Sequence, residues 1–152
     1  MKMDIDLLRD IMIVIEDVST STSSFSQDLI FERLYPDIKD ASEDDIWDSP
    51  ELEERILQSF ESITYHLDLL KDADFFTGRA AIQYPYKGLI IPKAYSSIQR
   101  LTFEGHNYLN AIRDNTIWAK TKEALVSVGS SASIEIIGDV AKQKIKEVLG
   151  LS

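Results

Sequence analysis

Apolar residues recur at helical spacing from the start of the chain. Ile5, Leu8, Ile11, Met12 and Ile15 form a stripe that Leu7, Val14 and Val18 widen, behind Asp4, whose carboxylate suits an N-cap. A first helix is expected there. It ends in Ser19-Thr20-Ser21-Thr22-Ser23-Ser24, where hydroxyls compete for backbone hydrogen bonds and favour a loop. Residues 28–38 carry Leu29-Ile30-Phe31 and then Leu34-Tyr35-Pro36, a pattern that does not decide between strand and helix. Asp48-Ser49-Pro50-Glu51 joins a capping side chain, a proline whose missing N–H costs nothing in a first turn, and an acid that suits the helix dipole. Leu52, Ile56 and Phe60 follow, and then Ile63, Leu67 and Leu70, at spacings of three or four. Serines beside an acid in Ser59-Phe60-Glu61-Ser62 suit a second cap, so two helices joined by a turn near 59–62 are preferred to one long helix.

The pattern changes abruptly after Asp74. From Phe75 to Phe103 there is no Asp or Glu in 29 residues, while Arg79, Lys87, Lys93 and Arg100 supply +4. Against a net −10 for the whole chain, this leaves −14 on the other 123 residues. Gly78, Pro85, Gly88 and Pro92 punctuate a run of β-favouring Tyr84, Tyr86, Leu89, Ile90, Ile91, Tyr95 and Ile98. A β-hairpin or three-stranded ribbon with a long tip is expected. Thr102 caps a helix running through Tyr108, Leu109, Ile112 and Trp118, with a break near Asp114-Asn115. After the loop Gly129-Ser130-Ser131, Ser133 opens a last helix. Ile134, Ile137, Val140, Ala141, Ile145, Val148 and Leu149 point inward on it, and Gly150 ends it. The fold class is α+β and helix-rich, and 152 residues suit a single domain over 1–152.

Helix, helix, helix, ribbon, helix is the order of a winged helix-turn-helix. Ile63-Thr-Tyr-His-Leu-Asp-Leu-Leu-Lys-Asp-Ala-Asp-Phe-Phe76 resembles the third helix and following strand of many bacterial winged-helix regulators. A glycine is usual after that alanine; Asp74 stands in its place, and aspartate tolerates the left-handed conformation better than most residues. Leu101-Thr-Phe-Glu-Gly-His-Asn-Tyr-Leu109 is similar to the wing's exit into the next helix. Together with Ala111-Ile-Arg-Asp-Asn-Thr-Ile-Trp118, these stretches resemble an uncharacterised family of small bacterial and prophage-associated proteins of unknown function. The resemblance covers the first helix and residues from about 60 to 150, with 19–58 outside it. It implies a winged-helix-like core over 1–104 with an insertion at 19–49, and C-terminal helices over 105–152 that pack on the core or dimerise.

Composition narrows the function. With no cysteine, disulfides, thiolate nucleophiles and cysteine-ligated zinc are excluded, and a reducing cytoplasm is the expected setting. Met1-Lys2-Met3-Asp4-Ile5-Asp6 lacks the basic and apolar regions of a signal peptide, and no apolar run is long enough for a membrane span. No membrane partner is expected. A net charge of −10 opposes general attraction to phosphate. Residues 40–54 hold eight acids and no base, interrupted by Ile46 and Trp47. They read as a solvated loop leading into an acid-rich helix start, or as a lure for a basic partner.

If Ile63, Leu67 and Leu70 are buried, the opposite face of the third helix carries Glu61, Tyr65, Asp68 and Asp72. That is a poor head for reading bases, and Ser62, Thr64, Tyr65 and Lys71 are the contacts left to it. The wing offers Arg79, Lys87 and Lys93 interleaved with Tyr84, Tyr86 and Tyr95 for phosphate contact and stacking. Equally, an acid-free ribbon packs its aromatics on the body and pairs its bases with 40–54. His66 and His106 lack partners at ligand spacing, so structural roles, no metal and no cofactor are expected. Trp47 and Trp118 are read as core or interface. The expectation is a non-enzymatic winged-helix protein in DNA-associated regulation, touching double-stranded DNA through its wing. The alternative is a protein–protein module whose face Glu61, Asp68 and Asp72 binds a basic partner. A third is a metal-dependent nucleic-acid enzyme drawing on the acids of 40–54.

Overall fold

The computed structural model describes residues 1–79, 82–83, 93–94, 96–129 and 132–151. Helix α1 (Ile5–Val18) starts as its pattern predicts, with the Asp4 carboxylate accepting from Leu7 N, and buries Leu8, Ile11, Met12, Val14 and Ile15. Residues 28–38 are helical. α2 (Gln27–Leu34) buries Ile30 and Phe31, and the one-turn α3 (Pro36–Lys39) opens on proline at its first position. The acidic stretch is likewise less of a loop than expected. Ser42 and Asp45 close a reciprocal capping box and nucleate α4 (Glu43–Asp48), which puts Ile46 in the core. Its neighbour Trp47 stays 66% exposed, which corrects the core reading for that tryptophan, whereas Trp118 is buried.

The expected turn near 59–62 does not occur. α5 (Pro50–Asp72) is one helix of 23 residues capped by Ser49, which accepts from Leu52 N. The Ser59 hydroxyl donates to Arg55 O at 2.7 Å, back along its own helix, rather than opening a new one. The stripe Ile56, Phe60, Ile63, Leu67, Leu70 passes through without a change of phase and packs against α1 and α2. α5 ends in a Schellman arrangement: Phe75 N donates to Leu70 O, Asp74 N donates to Lys71 O, and Asp74 takes the left-handed conformation with φ 60°.

Strand β1 (Phe76–Arg79) pairs antiparallel with β4 (Ser97–Leu101), and β2 (Ile82–Gln83) pairs with β3 (Lys93–Ala94) farther out. The ribbon is a hairpin. A register shift at Thr77 and Gly78 leaves Gln99 unopposed, so that Ile98 and Leu101, three apart, both face the core beside Phe76. On its other edge β4 forms a bridge with Phe25, whose N donates to Ile98 O at 2.9 Å and whose O accepts from Ile98 N at 2.8 Å. The sheet order is therefore Phe25, β4, β1.

α6 (Phe103–Ile112), α7 (Asn115–Leu125) and α8 (Ile134–Val148) complete the chain, with the break at Asp114-Asn115 where the sequence indicated it. Polar ties fix α1 along its length: Arg9 donates to Ile112 O at 2.8 Å, the Asp6 carboxylate accepts from Trp118 Nε1 at 2.7 Å, and one tie holds each end. His66 is fully buried: its Nε2 accepts from Asp4 N at 2.8 Å and its Nδ1 faces Ser62 O at 2.7 Å, partners that require the neutral ring with its proton on Nδ1. Arg113 grips the Glu16 carboxylate with two guanidinium nitrogens. That hydrogen bond and charge outweigh partial burial and hold Glu16 below its ordinary pKa, with His106 Nδ1 adding a contact at 3.6 Å.

The start of α6 is the tightest joint. Thr102 N donates to Phe75 O at 2.9 Å, its hydroxyl donates to Asp74 O at 2.6 Å, and Thr102 Oγ1 in turn accepts from Gly105 N at 3.0 Å. The helix approaches so closely that a Cβ on Gly105 would lie 2.1 Å from Phe75 O. Gly105→Ala is therefore expected to lower stability by about 3 kcal/mol, since backbone must move to admit one methyl group. Urea unfolding of variant and wild type measures it. A loss under about 0.5 kcal/mol would mean that the joint is slack.

Candidate functional site

The second half of α5 carries most of the predicted site residues, and the structure divides them. Thr64 is half-buried and committed: its hydroxyl donates to Phe60 O at 2.9 Å and accepts from Gln27 Nε2 at 2.8 Å. Ser62 is half-buried, with its carbonyl on His66. Lys71 is exposed but leans onto β1, its Nζ 3.4 Å from Phe76 O and 5.4 Å from the centre of that ring. Two of the four side chains assigned to base reading, Thr64 and Lys71, are thus engaged within the fold, and Ser62 contributes its carbonyl. Tyr65, the fourth, stands edge-on to His66 at 5.3 Å and lines a cleft.

Glu61, Asp68 and Asp72 are exposed along the helix. Asp68 and Asp72 have no ion-pair partner among the described residues. Partial burial raises the pKa of Asp68, and the Asp72 charge one turn away raises it further. Asp68 and Asp72 concentrate negative charge on this side of α5.

Of the wing residues, Arg79 is exposed on β1, on the outer side of the β1–β4 sheet with Arg100. Lys93 belongs to β3, paired with Gln83. Tyr84, Tyr86, Lys87 and Tyr95 lie outside the described residues. The basic wing and the acidic ridge are not brought into a common site by any described contact.

Beside the ridge, α5, α6 and α8 enclose an open cleft of about 840 Å³. Its floor is apolar, with Met3, Leu69, Phe75 and Tyr108, and its rim carries Asp72, Glu104, Glu135 and Asp139 against Lys142. α8 is seated here by Tyr108, whose hydroxyl donates to Ile134 O at 2.7 Å and whose ring touches Gly138. Burial pushes that phenol's pKa well up, and Asp139 adds to the rise. Neither Glu104 nor the α8 acids were singled out from the sequence, because a cleft between helices distant in sequence has no local signature.

Among the described residues no group of three His, Asp or Glu side chains is placed to hold a metal, and no helix is long and apolar enough to cross a membrane. The molecule is a helix-rich α+β protein with a small antiparallel sheet. Residues 2–131 match the family described as "Hypothetical protein (DUF2513)", and the chain belongs to that family of unknown function. A relative from Haemophilus influenzae (strain ATCC 51907 / DSM 11121 / KW20 / Rd), described as "Uncharacterized protein", is 30% identical over 96 residues, 59% of this chain and 70% of the relative. No solved structure matches the chain. The family match ends before α8, which supplies one wall of the cleft.

Partial burial and the neighbouring Asp72 charge give the ionisation of Asp68 a cost of measurable sign. A carboxyl held above its ordinary pKa is less stable charged in the folded chain than in the unfolded one. The penalty is fully present above the folded pKa and absent below the unfolded one. Asp68→Asn is expected to raise Tm near neutral pH and to leave it unchanged below about pH 3, where both states bind the proton. Solvent screening keeps the gain under about 0.5 kcal/mol. Equal melting curves at neutral pH would show that the ridge carries no strain.

Proposed function

We propose that this protein is a non-enzymatic interaction module on a winged-helix frame, and that the acidic ridge of α5 binds a basic segment of another protein. The frame is supported by the order α1, Phe25 bridge, α2, α5, β1, β4, with α3 and α4 inserted between α2 and α5 and with β4 lying between β1 and the Phe25 bridge. That is the arrangement in which a winged helix presents its third helix and its wing on one side. The observation that carries the functional reading is the ridge itself. Asp68 and Asp72 stand exposed where a DNA-reading helix would carry bases, and no described cation pairs with them. Such a ridge repels phosphate and attracts lysine and arginine.

A second reading is kept because one observation favours it. Arg79 and Arg100 share the outer side of the acid-free β1–β4 sheet, a surface able to contact the backbone of double-stranded DNA without α5 reading bases. Regulation at DNA and capture of a basic protein are compatible in one molecule. The setting proposed is the cytoplasm of a bacterium; the cysteine-free sequence and the bacterial relative support it, and the prophage association rests on the sequence resemblance alone. His66 is spent on backbone bonds and His106 sits beside Glu16, which supports a role without catalysis.

Two titrations of the full chain test this, one with a lysine- and arginine-rich peptide and one with mixed-sequence duplex DNA, each across a salt series. The expected result is peptide binding that shifts amide signals along residues 61–72 and weakens at least about tenfold in Asp68→Lys/Asp72→Lys. No DNA binding is expected at low salt. DNA binding with a steep salt slope that flattens in Lys87→Ala/Lys93→Ala, and no peptide binding, would replace the ridge by the wing as the functional surface.

A further inference from the structure

We infer that the C-terminal helix α8 is the interface for a second copy of this chain, paired antiparallel so that each copy's C-terminal end lies across the other's α5–α6–α8 cleft. This goes beyond the basic-partner reading and uses a different surface from Asp68.

The first observation is a stripe of charge. Glu135, Asp139, Lys142 and Lys146 are all exposed. Their spacings of four, three and four set them within an arc of about 60° on one side of the helix. The order along that side is acid, acid, base, base. None of the four takes part in an ion pair among the described residues; the ion pair within α8 is Lys144 with Glu147. Glu135 and Asp139 repel each other at i,i+4, as do Lys142 and Lys146, and within a lone helix Asp139 with Lys142 at i,i+3 is the one opposite-charge neighbour pair among the four. The helix dipole accounts for acids near the start and bases near the end. It gives no reason for all four to share one side. An antiparallel copy does: a two-fold axis between Val140 and Ala141 sets Glu135 against Lys146 of the second copy and Asp139 against its Lys142, and the reciprocal pairs form at the same time.

The second observation is an apolar stripe that outruns the body. Ile137 and Ala141 are fully buried, yet Val148, on the same side of the helix, is 54% exposed, and Leu149 at the C-cap and Leu151 beyond it are 65% and 58% exposed. The overhang pairs these apolar side chains with the lysines of the preceding turns. The surface that suits it is acidic at the rim and apolar at the floor, which describes the cleft that Glu135 and Asp139 border. The same antiparallel register carries Leu149 and Leu151 past the start of the second copy's α8. There Met3, Leu125, Val126 and Ala132, with Lys2 and Lys122 beside them, line a further hollow and Val126 is 78% exposed. Leu149 and Leu151 find cover in the same closed, self-complementary contact that pairs the charges.

Sedimentation of the full chain over a concentration series tests the inference, with circular dichroism reporting helix content. Wild type is expected to shift from monomer to dimer, more weakly at high salt. Glu135→Lys/Asp139→Lys and Lys142→Glu/Lys146→Glu are each expected to remain folded and monomeric. An equimolar mixture of the two is expected to regain the dimer mass, because an all-basic stripe then meets an all-acidic one. Asp68→Lys is expected to leave the dimer intact, which separates this result from the fate of the basic-partner reading. A wild type that stays monomeric up to about 1 mM, or a dimer that the two charge reversals leave unchanged, overturns the inference.

Discussion

Thr102 sits where three elements must meet, and the fold depends on how completely its polar atoms are used. Its N–H and hydroxyl bind the two carbonyls of the turn that ends α5, and the same hydroxyl oxygen receives one of the orphan amides of α6, that of Gly105. One residue therefore closes the hairpin base, caps a helix and ties that helix to the end of α5. The arrangement is feasible only because Asp74 accepts a left-handed conformation and Gly105 has no Cβ to strike Phe75 O. With the joint fixed, Phe76, Ile98 and Leu101 turn into the core between α1 and α5, and the outer side of the sheet is left to Arg79 and Arg100.

Much of this was legible in the sequence, for physical reasons that differ by element. α1, α8 and the α6–α7 break follow from period and caps alone: Asp4, Ser133 and Asp114 each accept from the backbone as their side chains allow. The Thr102–Gly105 spacing was recognisable because it encodes a contact between neighbours in space with one geometric solution. The serines at 59 and 62 misled. A cap signal and a back-bonding serine look alike in sequence, and only the continuous apolar stripe of α5 decides between them. α2 and α4 are short, and their apolar residues are too few to set a period, so tertiary packing of Ile30, Phe31 and Ile46 determines them. A capping box at Ser42 and Asp45 was the available signal for α4.

The candidate site was legible in charge and illegible in shape. The acidic side of α5 follows directly from helical spacing, and the structure adds that the neighbouring polar side chains are already engaged, Thr64 by Gln27 and Lys71 by β1. The cleft is different, because it is assembled from residues 3, 65–75, 104–108 and 133–142, and no local pattern announces that these will converge.

α8 brings the two kinds of information together. Read as sequence, its lysines complement a helix dipole and its apolar residues indicate an inward face. In three dimensions Val148, Leu149 and Leu151 are left exposed by the described residues, while the charged side is ordered so that it complements its own reverse. A surface of that kind is satisfied by symmetry. A heterologous basic partner would neutralise Glu135 and Asp139 and leave Lys142 and Lys146 facing one another, whereas a second α8 pairs all four and covers Leu149 in the same step.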